Sequence, residues 1–86
     1  MVEDSGQDAI ARALALGVLR DAGLGDRLVV RAHDGGGARD ALGVLVGRTA
    51  TSVTIETRRG PVEVPLADVV AAKPVPPPPA PRPRRP

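Results

Sequence analysis

The 86-residue chain has room for one domain, and its composition omits Phe, Tyr, Trp and Cys, so any core is aliphatic and neither disulfides nor thiolate metal sites can form. The formal charge of +2 conceals a segregation: Lys73, Arg82, Arg84 and Arg85 supply four of the twelve basic residues, leaving eight against ten acids in residues 1–72. That balance gives the folded part no compositional support for binding a polyanion, and only a weak, salt-sensitive nucleic-acid contact is expected, from the tail.

The start, MVEDSGQD, is acidic where a secretory leader is basic. The longest apolar run, residues 13–19, lies between Arg12 and Arg20 and is far too short to cross a membrane. A cytoplasmic protein without membrane contact is expected. Eleven of the twelve basic residues are Arg, which together with abundant Ala, Val, Gly and Pro reads as the codon bias of a high-GC bacterial genome.

Ser5 and Asp8 have the spacing of a capping box, and Ile10, Ala13, Leu14, Gly17 and Val18 follow at helical intervals. The spacing predicts a helix over 7–22 within an N-terminal segment 1–24, ended by a left-handed Gly23. The stripe reads either as an interaction helix or as a cover for the open end of a barrel. The run DRLVVRAH at 26–33 alternates, with Leu28, Val30 and Ala32 on one face, and forms the first strand. DGGGARD at 34–40 reads as a mobile loop; without a Gly-Lys-Ser/Thr ending or a following helix start it has no phosphate-binding device.

ALGVLVG at 41–47 is the second strand, with Leu42, Val44 and Val46 expected inward and its glycines outward. TSVTIET at 51–57 is the third, with Val53 and Ile55 inward and Ser52, Thr54 and Glu56 outward. Arg58-Arg59-Gly60 turns the chain into a fourth strand from Pro61, carrying Val62, Val64 and Leu66 on one face. A short helical turn at Ala67-Asp68 leads to a fifth strand over 70–75. The expected fold is mainly β: a five-stranded SH3-like small barrel over 25–76, preceded by one α-helix. Its expected core is Leu28, Val30, Val44, Val46, Val53, Ile55, Val62, Val64 and Leu66. Residues 77–86 continue a proline- and arginine-rich segment that fits only polyproline II, and are expected to form a disordered tail or linker.

Three segments carry a resemblance: GDRLVVR at 25–31, DALGVLV at 40–46 and TIETRRGPVEVPLADVVAAKPVPP at 54–77. They are similar to the small SH3-like barrel that precedes the catalytic domain in a group of bacterial GNAT-type, histone acetyltransferase-like enzymes. The resemblance implies a non-catalytic accessory module whose partner is a GNAT-type acetyltransferase domain or another protein. No residue matches the glycine-rich pyrophosphate loop by which those enzymes hold acetyl-CoA, so neither activity nor a cofactor is expected of this chain.

A leading helix before five bent strands is also the order of Sm-like barrels, which would imply a ring that binds RNA. The residues expected to meet a partner are Arg31, Arg48, Arg58 and Arg59 on the barrel and Arg82, Arg84 and Arg85 in the tail. The absence of Phe, Tyr and Trp argues against an SH3 proline-peptide groove and leaves only His33 and arginine planes for stacking bases. His33 beside Asp34 lacks a nucleophile and an oxyanion device, and reads as a strand end rather than an acid–base pair.

Overall fold

The alternation from residue 27 onward forms strands nearly everywhere it is legible. A computed structural model describes residues 3–76: α1 (Glu3–Asp21), β1 (Arg27–Asp34), β2 (Gly37–Arg48), β3 (Ser52–Thr57), β4 (Gly60–Pro65), a single 3-10 turn (Leu66–Asp68) and β5 (Val69–Pro74). All neighbouring strands are antiparallel, in the spatial order β4-β3-β2-β1-β5. The sheet is not closed: β4 and β5 are its edges. The proline-rich segment 77–86, with Arg82, Arg84 and Arg85, lies outside the described residues.

α1 begins earlier than the capping pattern predicts, so Ser5 lies inside the helix rather than at its cap. The helix packs against β5, and Ala15, Leu19 and Ala22 enter the same buried cluster as Leu28, Val30, Leu45, Val53, Ile55, Val64 and Val69. Ile10 and Leu14 remain exposed on its other side. Each large aliphatic side chain removed from water contributes about 1.5–3 kcal/mol, so Leu19 ties the helix to the sheet. At the helix end the positive φ falls at Gly25 rather than at Gly23, whose N–H instead donates to Asp26 Oδ2 at 2.9 Å.

The glycine-rich segment 34–40 is not a loop. Asp34 pairs with Gly37, leaving a two-residue turn at Gly35-Gly36, and residues 37–40 extend β2. Gly35 has φ +65°, the left-handed geometry that the first central position of a type II′ hairpin demands. This short turn also fixes the register, opposing Val30 to Ala41 and Leu28 to Gly43.

The register reverses the expected facing of β2. Ala41, Gly43 and Leu45 face the core, while Leu42 and Val46 are 46% and 47% exposed, and Val44 is only half-buried. The cause is space. An added Cβ at Gly43 would stand 2.0 Å from the Glu56 carbonyl oxygen and 3.1 Å from Ile55 Cγ2, so β3 runs too close for a side chain here. Gly43 therefore takes the crowded point of the inner face, between Ala41 and the fully buried Leu45, while Leu42, Val44 and Val46 turn away from it.

Beyond Leu45 a bulge at Val46 shifts the pairing, so that Gly47 opposes Thr54 and Arg48 opposes Val53. A bulge re-aims the side chains that follow it. Arg48 is thereby turned to the helix-covered side, where its guanidinium donates to the carbonyls of Leu19 (2.9 Å) and Ala22. These bonds satisfy carbonyls that the helix end leaves without partners, with a cation at the favourable end of the dipole. Arg12 makes the companion contact from within α1, donating to Val69 O at 2.9 Å and Ala67 O at 3.2 Å. Arg48→Ala should lower stability by about 1–2 kcal/mol in a denaturant titration, with Arg48→Lys recovering part of the loss.

Ser52, expected outward, is buried. Its hydroxyl lies 3.1 Å from Thr49 Oγ1 and donates to Glu63 Oε2 at 3.1 Å, while Thr49 Oγ1 accepts from the amides of Thr51 and Ser52. The turn between β2 and β3 is thus closed by hydroxyls, which bury a polar residue on the face opposite Val53 and Val64.

Candidate functional site

The edges of the sheet limit what can add to it. Leu66 N–H donates to Thr51 O at 2.8 Å, and amide directions alternate along a strand, so residues 61, 63 and 65 of β4 direct their backbone to the free edge. Two of those three are Pro. On β5, Val75 N–H donates to Arg27 O at 2.9 Å, which puts residues 72 and 74 at the opposite edge, and residue 74 is Pro. Prolines at these positions remove the donors that another strand would need.

Side chains, rather than edges, make the most built surface. The β3–β4 turn is the dipeptide Arg58-Arg59, held by Thr57 Oγ1, which donates to Gly60 O at 2.8 Å and accepts from the Arg59 amide at 3.1 Å. Beside it, a groove of about 550 Å³ runs across the end of the sheet. Arg27 from β1, Arg39 from β2 and Arg58 and Arg59 from the turn line it, with Leu42 and Val62 among its apolar residues. Among the described residues, Arg39 has an ion pair with Asp34 at 3.0 Å, and Arg27, Arg58 and Arg59 have no carboxylate within salt-bridge distance.

The arginines singled out in the sequence thus divide. Arg58 and Arg59 share the groove, whereas Arg48 is engaged with the end of α1. Arg31 lines a neighbouring depression of about 400 Å³ with Val29, Ala71 and Lys73. It grips Asp40 in a two-point contact, Nε to Oδ1 at 2.9 Å and a terminal nitrogen to Oδ2 at 3.3 Å. Through that hydrogen bond, the Arg31 guanidinium holds the Asp40 carboxyl below the ordinary carboxylate range.

Because the folded-state value is depressed, the contact favours the fold above the ordinary Asp range and is lost as pH falls through the lowered midpoint. In an NMR titration Asp40 should therefore titrate below an unperturbed Asp, and Arg31→Ala should raise its midpoint toward the ordinary value. An Asp40 midpoint unmoved by Arg31→Ala would contradict the contact.

Arg27 and Arg39 join the groove without any local pattern that marks them. Arg39 lies in the segment that reads as a loop, and Arg27 meets the others only because β1 and β2 pair so that Arg27 opposes Val44. The one available signal is the Gly-Gly pair, which permits a two-residue turn and hence that register. His33 is exposed at the end of β1, and the neighbouring Asp34 carboxylate is taken up by Arg39. Among the described residues, no helix is long and apolar enough to cross a membrane.

Comparison of the chain with protein-family models, with curated proteins and with solved structures gives no match.

Proposed function

We propose that this chain is a non-catalytic interaction module of SH3-like barrel type, similar to the accessory barrel of bacterial GNAT-type acetyltransferases, which holds or orients a partner through a side-chain surface. The observation that carries the reading is the groove, where four arginines from three elements converge beside exposed Leu42 and half-buried Val44 and Val62. Segregated charge over apolar surface is what a protein-recognition face requires. The resemblance over 25–31, 40–46 and 54–77 supplies the partner class, an acetyltransferase domain. An Sm-like ring has the helix and strand order in its favour, but rings of that type grow by edge pairing, and Pro61, Pro65 and Pro74 oppose it.

Two measurements test this reading. The purified chain should sediment as a monomer and should turn over no acetyl-CoA above a protein-free control. A stable ring would favour the Sm-like alternative, and turnover would overthrow the non-catalytic assignment. Sequencing the adjoining DNA tests the partner class, an acetyltransferase reading frame being expected there.

A further inference from the structure

On the reading of the chain as an interaction module, on which the docking proposal rests, the chemistry of the groove narrows the partner further. Acids outnumber bases ten to eight in residues 1–72, yet four of those eight bases line this one groove. Arg39 is paired with Asp34, so among the described residues Arg27, Arg58 and Arg59 supply the local positive field, and it has a defined place. Between the arginines the surface is aliphatic: Leu42 is 46% exposed, and half-buried Val44 and Val62 continue it.

Two acids also border the groove, Asp40 and Glu56. Asp40 is already neutralised by Arg31, but among the described residues Glu56 has no cationic partner within salt-bridge distance. A nucleic acid would have to carry phosphate after phosphate past Glu56, with no aromatic ring to stack its bases. An extended peptide alternates its side chains, spacing like residues about 6.7 Å apart, and can set an aliphatic group against Glu56 while its carboxylates meet arginines. Guanidinium and carboxylate also fit each other in two-point geometry.

We infer that the groove formed by Arg27, Arg39, Arg58 and Arg59 around Leu42 and Val62 is a docking site for an extended peptide segment of a partner protein in which acidic and aliphatic residues alternate. The segment is held by its side chains. Addition as a sixth strand at β4 is opposed by the prolines on that edge.

The test uses the full chain and a fluorescein-labelled peptide of repeating Glu-Leu-Glu-Val, followed by fluorescence anisotropy at low salt. Saturable binding is expected, and the double substitution Arg58→Ser/Arg59→Ser should weaken it about tenfold or more, since two charge-assisted contacts are removed. Leu42→Ser, at a side chain exposed enough not to threaten the fold, should weaken it about three- to tenfold.

On the unaltered chain, a matched peptide with Ser in place of Leu and Val should bind more weakly, and a Lys-Leu-Lys-Val peptide should not bind. These probe changes hold even if a variant misfolds. Failure of the acidic peptide to bind, equal binding of the Lys peptide, or equal binding of an oligothymidylate of similar length would each overturn the inference, the last in favour of nucleic acid. The monomer and turnover measurements decide the module reading separately, so the two can fail independently.

Discussion

Gly43→Ala should be among the most damaging single substitutions in this protein, costing about 3 kcal/mol or more of a stability that for domains generally is only about 5–15 kcal/mol. The smallest side chain would place its Cβ 2.0 Å from Glu56 O and 2.7 Å from Glu56 C, both backbone atoms of β3 that no rotamer change can move aside. Relief requires β2 and β3 to separate or slide, which breaks the pairing of Gly43 with Thr57 and of Val44 with Glu56. A thermal melt followed by far-ultraviolet circular dichroism should show a fall of many degrees or no cooperative transition. Gly36→Ala is the control. Nothing lies within 4 Å of its added Cβ and its φ is not positive, so its melt should stay close to the unaltered chain's.

The second large effect is expected at Leu45, and its contrast with Leu42 tests the facing of β2. Leu45 is fully buried in the cluster that holds Ile55 and Leu28, and Leu45→Ala should cost about 2–5 kcal/mol through lost burial and the cavity left behind. Leu42→Ala, three residues away in the same strand, should cost less than about 1 kcal/mol because its side chain is already half in water. Denaturant titrations of the two variants measure the difference directly. A larger loss at Leu42 than at Leu45 would mean that the strand faces the other way.

The strands themselves are written in local pattern. Val53 and Ile55, and Val62 and Val64, alternate with polar or turn-forming neighbours, Leu28 and Val30 are flanked by Arg27 and Arg31, and pleating sends each pair to one side whatever the rest of the chain does. Those of β1 and β3 are fully buried and Val64 is buried, while Val62 and Leu66 pack against the core from half-buried positions. Arg58-Arg59-Gly60 is likewise legible as a hairpin turn, and with it half of the arginine groove. The break at Ala67-Asp68 coincides with the 3-10 turn that carries the chain to β5.

What only the tertiary structure decided was everything that depends on register. In β2 both faces are apolar, Leu42, Val44 and Val46 on one and Ala41, Gly43 and Leu45 on the other, so alternation carries no preference and bulk alone favours the wrong face. The two-residue turn at Gly35-Gly36 decides between them, because shifting an antiparallel pairing by one residue turns every side chain over. The same register brings Arg27 to the groove, and the bulge at Val46 sends Arg48 to the helix end instead. Sequence pattern determines which residues alternate; the register set by the Gly35-Gly36 turn, together with the close approach of β2 to β3 at Gly43, determines which side of that alternation meets the core.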